Sequence, residues 1–261
     1  MSLLNALRAN PGLILRHRNI FLLSHMRANT SLFGHLLGSH PQVEGYYEMH
    51  IGYYSWKSLW RQKMLHFASH EPKPGARQMF DKVLHDGHEV ALPLLQRSDS
   101  RAIFMVREPR QSVRSLMTLY RGDGKGHLPE ATAEGATRYY VDRLATLARM
   151  ARELDGRGFY LDAECLVQQS EPTLLALGTW LGLDGPIPTE YGTFAKTGRG
   201  NSGDTSARLK SGKISRSANS YDDIVVPEAC MAEAQAAYDT HRQTLIRHAA
   251  QRCTLETAVT A

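Results

Sequence analysis

The sequence predicts a three-layer α/β fold, a central and mainly parallel sheet with helices on both faces. Three observations lead there. Apolar runs of strand length recur near residues 19–24, 78–84, 101–106 and 157–161. Helical stretches alternate with them, near 30–39, 53–67, 88–96, 109–121, 130–154, 171–182 and 227–253. The runs are nearly continuous in apolar character, as in strands buried on both faces. No Pro- or Gly-rich linker and no internal repeat divides the 261 residues, so one domain over 1–261 is expected.

The first run, Ile20-Phe21-Leu22-Leu23, enters the polar turn Ser24-His25-Met26-Arg27-Ala28-Asn29-Thr30-Ser31 and then Leu32-Phe33-Gly34-His35-Leu36-Leu37. A strand, a turn and a helix collect anions, because the first helical N–H groups have no intrahelical partner and carry partial positive charge. Arg27 adds a full charge, and Thr30 and Ser31 add hydroxyl donors. The turn is therefore read as a phosphate holder. It is not a G-x-x-x-x-G-K-[ST] loop, since both glycines and the lysine are missing. Taken alone, a solvated loop with a helix cap has the same composition.

Two segments that follow carry candidate acid–base groups. Tyr46-Tyr47-Glu48-Met49-His50 comes just after the first helix, and Asp81-Lys82-Val83-Leu84-His85-Asp86 ends the second strand. A carboxylate or imidazole can take a proton, and a lysine can neutralise a leaving group. The third strand, Arg101-Ala102-Ile103-Phe104-Met105-Val106, runs into Arg107-Glu108-Pro109-Arg110-Gln111-Ser112-Val113-Arg114-Ser115. Pro109 suits a helix's first turn. Arg107 then stands at a strand's C-terminal end, where open α/β sheets bind ligands, and Ser115 follows two helical turns later on the same general face. Arginine is the side chain suited to bidentate phosphate recognition. The polar, Gly- and Ser-rich stretch 185–223 is expected to cover the site.

These segments resemble the sulfotransferases that use 3′-phosphoadenosine 5′-phosphosulfate (PAPS). In that family a [KR]-S-G-T-[ST] loop follows a first strand, and R-x-P-x-x-x-x-x-S follows a later one. The resemblance implies a P-loop-like fold, with Arg27, Ala28, Asn29, Thr30 and Ser31 holding the 5′-phosphosulfate and Arg107 and Ser115 gripping the 3′-phosphate. Gly198-Arg199-Gly200-Asn201-Ser202-Gly203-Asp204-Thr205 is similar to the family's K-G-x-x-G-D loop, which places Arg199 and Gly200 over the 3′-phosphate. Phe159-Tyr160-Leu161-Asp162-Ala163-Glu164-Cys165-Leu166 is similar to its Y-E-D-L segment. Ala28 replaces the usual serine and Asn29 the usual glycine; asparagine tolerates the left-handed conformation that the turn needs. Leu32 stands where some members stack an aromatic ring on the adenine.

The resemblance divides on the general base. Small-molecule members place a histidine shortly after a lysine, and Lys82 and His85 match with one extra residue between them. Tyrosylprotein and several bacterial members place a glutamate about twenty residues after the loop arginine, where Glu48 stands. Glu48 is favoured, because Glu48-Met49-His50 also looks like the bacterial E-x-H; His85 is the alternative base or a second group on the acceptor. The implied reaction moves a sulfuryl group to a hydroxyl on a carbohydrate, lipid or secondary metabolite, in line and without a metal. A nucleotide-dependent small-molecule kinase is disfavoured by the missing loop lysine and Mg²⁺ carboxylate. A non-catalytic anion-binding module on the same scaffold is the alternative outside enzymes.

Composition agrees with these readings. A net charge of +5 suits a polyanionic ligand, and neither a nucleic-acid motif nor a dense Lys/Arg run points to nucleic acid. Three widely spaced cysteines, Cys165, Cys230 and Cys253, suggest a reducing, cytoplasmic compartment without a disulfide framework. The N-terminal stretch, cut by Arg8, Arg16 and Arg18, reads as neither a signal peptide nor a membrane span. His66 and His70 have i, i+4 spacing but no third ligand, and they read as a solvated helix end.

Overall fold

In the computed structural model, residues 11–122, 125–198, 207–216, 221 and 223–255 are described. Their six strands form one sheet, every pair parallel, in the order β2-β3-β1-β4-β5-β6. The strands are β1 (Arg18–Ser24), β2 (Val43–Glu44), β3 (Gln78–Val83), β4 (Ser100–Val106), β5 (Gly158–Asp162) and β6 (Ala249–Cys253). Successive side chains point to opposite faces, so each central strand feeds two cores. Phe21, Leu23, Phe104, Val106 and Tyr160 join one apolar cluster. Ile20, Leu22, Ile103, Met105, Phe159 and Leu161 join the other. Helices close both faces, as the near-continuous apolar runs require.

The helices are α1 (Thr30–Ser39), α2 (Trp56–Phe67), α3 (Leu92–Leu95), α4 (Pro109–Gly122), α5 (Ala133–Leu154), α6 (Cys165–Gln168), α7 (Ser170–Leu181), α8 (Ala207–Lys210) and α9 (Glu228–Arg247). Local chemistry sets their starts. Ser55 accepts the Lys57 N–H ahead of α2, and Thr132 accepts the Gly135 N–H ahead of α5. Pro109 occupies the first position of α4, as expected.

Three expectations are corrected, and one strand is added. The helix expected over 227–253 ends at Arg247, and Ala249–Cys253 becomes the edge strand β6. That strand is mostly half-exposed or exposed, so no apolar run marks it. β2, two residues long, left no periodic signal. The helix expected over 88–96 shrinks to one turn, with Pro93 in its first turn. His66 is not part of a solvated helix end: it is 2% exposed, with Nε2 3.2 Å from Glu44 Oε2. Its ring stacks on His70 at 4.5 Å. Glu44 lies on β2, and its side chain also accepts the Lys73 N–H. Among the described residues no helix is long and apolar enough to cross a membrane.

Candidate functional site

The phosphate turn leaves the C-terminal end of β1 between β3 and β4. The chain goes first to β2 and β3 on one side of β1 and then crosses to β4 on the other, which makes this edge a topological switch point. Arg27 (φ 65°) and Asn29 (φ 57°) both take the left-handed conformation. The Asn29 side chain caps none of the first helical N–H groups of α1; it donates to Ala163 O at 3.4 Å. Asn29, Thr30, Ser31 and Leu32 line a cavity of about 210 Å³.

That cavity is strongly cationic. Arg27, Arg107, Arg208, Lys213 and Arg216 line it, and Glu164 is the carboxylate among its lining residues. Burial holds the Glu164 carboxyl above the ordinary range. Arg107 is 18% exposed, and its Nε is buried without a hydrogen-bond partner, 3.9 Å from Glu164 Oε1. An orphaned guanidinium N–H beside a cationic cavity fits an anionic group. Arg27 Nε donates to Ser115 Oγ at 2.8 Å, and Ser115 shares a 2.8 Å hydrogen bond with Tyr221. Arg107 Nη1 donates to Arg27 O at 3.1 Å. The structure thus brings Arg27, Arg107 and Ser115 into one group. Arg199 and Gly200 lie outside the described residues.

On the other side of the turn, Lys82 is 1% exposed, and its Nζ donates to Ser31 Oγ at 3.3 Å. It is not a surface lysine but sits under the start of α1. Asp81, next to it, points to the opposite face. Its carboxylate accepts the Tyr53 hydroxyl (2.5 Å), the Met49 N–H (3.1 Å) and the Lys82 N–H (2.8 Å). Burial raises its pKa to about 7 against the lowering effect of those donors. Through Met49, Asp81 anchors the Glu48 segment. Gly34 anchors the segment's start, because a Cβ there would lie 2.2 Å from Tyr46 O and α1 could not pack so closely. Glu48 is 8% exposed, and its Oε1 has no hydrogen-bond partner. His50 Nδ1 lies 3.5 Å from that oxygen and His85 Nε2 lies 3.8 Å from it. Glu48 and His85 therefore converge rather than compete for separate places. Burial lowers the His85 pKa against the opposing charge of Glu48, so its ring is neutral near pH 7.

Residues that sequence reasoning passed over hold this edge together. Tyr139 accepts the Met26 N–H (2.9 Å) and donates to Leu84 O (2.8 Å), tying the phosphate turn to the segment before His85. Tyr140 donates to Arg107 O at 2.6 Å. Arg143 donates to Ser24 O (2.9 Å) and Val83 O (2.7 Å) and pairs with Asp86. Three residues of α5 thus saturate the ends of β1, β3 and β4. The visible signal was only an apolar helix face that carries two tyrosines and an arginine.

His25 completes the frame. Its Nε2 accepts the Arg107 N–H at 3.0 Å, so Nδ1 carries the proton and donates to Met26 O at 2.8 Å. Burial pushes its pKa down to about 4. A depressed pKa gives stability that is complete above the unfolded value near 6.5 and is lost as pH falls through 4. Urea unfolding at stepped pH should show a loss of about 2–3 kcal/mol from His25 over that window. His17, also lowered to about 4, adds to the loss, and Asp81, raised to about 7, opposes it. His25→Gln cannot titrate, so the difference between the two proteins isolates this residue. Parallel pH dependences would refute a buried neutral His25.

No protein-family model matches the chain, and no curated protein matches it significantly in sequence. Solved structures do match. A sulfotransferase domain from the curacin biosynthetic pathway aligns over 87% of this chain and 97% of its own, at 16% identity and TM-score 0.59. The sulfotransferase domain of the Synechococcus PCC 7002 olefin synthase aligns over 87% and 96%, at 17% identity and TM-score 0.56. A sulfotransferase from Alicyclobacillus acidocaldarius aligns over 90% and 97%, at 12% identity and TM-score 0.53. With its all-parallel six-stranded sheet and helices on both faces, the chain has the P-loop-like α/β fold of the sulfotransferases.

Proposed function

We propose that this protein is a PAPS-dependent sulfotransferase acting on a hydroxyl acceptor. One observation carries the reading. The turn after β1 opens into a cationic cavity lined by Arg27 and Arg107, with Ser115 bonded to Arg27; on the β3 side of the same turn Lys82 donates to Ser31, and the Glu48–His85 pair lies by Tyr139, which holds Met26. A nucleotide with phosphate at both ends needs the first group, and a reacting hydroxyl needs the second. The fit rests on the orphaned Arg107 Nε and on five cationic side chains facing one carboxylate. Bound PAPS supplies the sulfuryl group and a phosphate leaving group.

The chain's own residues supply the rest. Arg107 and Ser115 bind the 3′-phosphate end, and Arg199 and Gly200 are assigned there by resemblance, while Arg27, its Nε donating to Ser115, serves the 5′-phosphosulfate. The N–H groups and hydroxyls of Thr30 and Ser31, with the backbone of Ala28 and Asn29, face the 5′ end. Lys82, held on Ser31 Oγ, would supply positive charge to a leaving oxygen that becomes anionic, an interaction stronger in the transition state than in the ground state. Glu48 accepts the acceptor's proton, and His85 orients the hydroxyl.

The purified chain should transfer labelled sulfate from PAPS to members of a hydroxyl-acceptor library, with EDTA present throughout. Phosphorylation from ATP that requires Mg²⁺, with none from PAPS, would establish the kinase reading instead. Tight nucleotide binding without turnover on any acceptor would mark an anion-binding module.

A further inference from the structure

The proposed reaction leaves α2 unused, yet α2 carries three of the large apolar side chains exposed among the described residues on one ridge. From Met49 to His70 there is no acidic residue, while Lys57, Arg61 and Lys63 are present. The helix buries Gln62, His66 and Phe67. Outward it shows Trp56 (60% exposed), Trp60 (36%) and Met64 (58%), each four residues from the next. At 3.6 residues per turn these three form one ridge, and Lys57 and Arg61, both exposed, form the ridge beside it. Tyr54, 63% exposed, continues the surface before the helix, and Leu65 (42%) continues it beyond the basic ridge.

The surface extends past α2. Gly12 lies against Phe67, and Leu15 O accepts Lys63 Nζ at 2.5 Å, which fixes the chain before β1 along the helix. That stretch exposes Ile14 (68%) and Leu15 (37%). Single exposed apolar residues are ordinary, but two tryptophans and a methionine on one ridge are not.

We propose that this face docks on an anionic lipid surface. Two features select that partner. The charges that α2 itself carries, on Lys57, Arg61 and Lys63, are all positive, so they complement a negative surface and repel a basic one. The apolar side chains stand out from a convex helix, as in interfacial helices, which sink tryptophan and other apolar residues to headgroup depth beside lysine and arginine. A protein partner would have to bring the groove that receives them. α2 suits such a load because it is fixed at its C-terminal end by the buried His66–Glu44 pair and by Phe67. The inference concerns binding and does not depend on the transferase reading.

Vesicle sedimentation of the full chain tests it. Phosphatidylcholine vesicles with about 30 mole per cent phosphatidylglycerol should bind the protein at least about tenfold more tightly than phosphatidylcholine alone, and added salt should weaken the binding. Trp56 and Trp60 are two of the chain's three tryptophans, so emission should shift to the blue on binding. The double variant Trp56→Ser/Trp60→Ser should lose about tenfold in affinity and the shift, and Lys57→Glu/Arg61→Glu should lose the preference for anionic lipid. Thermal melts should match the parent, because all four positions are exposed. Absence of vesicle binding overturns the proposal. So does binding that survives both double variants, which would place it elsewhere on the basic surface. Self-association that the tryptophan variant abolishes, without vesicle binding, would assign the face to a second copy of the chain.

Discussion

Arg107→Ala should weaken the binding of 3′-phosphoadenosine 5′-phosphate by about 3 kcal/mol, roughly a hundredfold or more. Burial lowers the guanidinium's own pKa, which shows what holding that charge at the end of β4 costs. Its Nε is buried without a hydrogen bond, and its ion-pair partner Glu164 stands 3.9 Å away, so the N–H is left for a closer anionic acceptor. The substitution should spare the fold locally. His25 holds the residue's N–H and Tyr140 holds its carbonyl, and neither bond involves the side chain. Calorimetry separates specific from general attraction. Adenosine 5′-phosphate lacks the 3′ group, so it should bind the parent weakly and lose little on substitution. Equal affinity of the parent for the two nucleotides would rule out a dedicated 3′-phosphate site, whatever the net charge of the cavity.

The sheet was legible wherever a strand is buried on both faces. β1, β4 and β5 each carry an apolar run, and a run is what a single sequence shows; β3 is as buried but interrupts its run with Asp81 and Lys82. β2 and β6 are edge strands, one two residues long and the other partly exposed, so neither needs apolar residues. The end of α9 misled for the same reason: its Ala-rich helix passes into Ala249–Cys253 without a glycine or proline to mark the change.

The site was legible in proportion to its local content. The turn after β1, Arg107 with Ser115, and Lys82 with His85 all sit at strand ends or within two helical turns of one, where position along the chain predicts position in space. What joins them comes from far away in sequence. Tyr139 lies 113 residues from Met26, and Tyr221 lies 106 residues from Ser115. No periodicity reports such a pairing. Arg208, Lys213 and Arg216 were within reach, since they form a basic cluster in the polar stretch expected to cover the site.

Glu48→Gln should reduce turnover by about two orders of magnitude or more while nucleotide affinity stays nearly unchanged. The amide keeps the shape of the carboxylate but cannot take a proton. Glu48 Oε1 is buried, accepts no hydrogen bond, and faces His50 and His85 at 3.5 and 3.8 Å, so its accepting capacity is not spent within the chain. His85→Asn should cost less, because the ring then only orients the acceptor. The pH dependence of kcat gives a second and independent test. Burial sets the His85 pKa below the ordinary histidine value, so protonation removes its lone pair only at a pH below about 6.5. If His85 were the base, rate would fall through that lowered value, and His85→Asn would abolish both the rate and the acid limb. If Glu48 is the base, His85→Asn keeps a measurable rate and does not abolish turnover. Near-full activity in Glu48→Gln beside an inactive His85→Asn would transfer the role of base to His85 and leave Glu48 as the group that holds its ring.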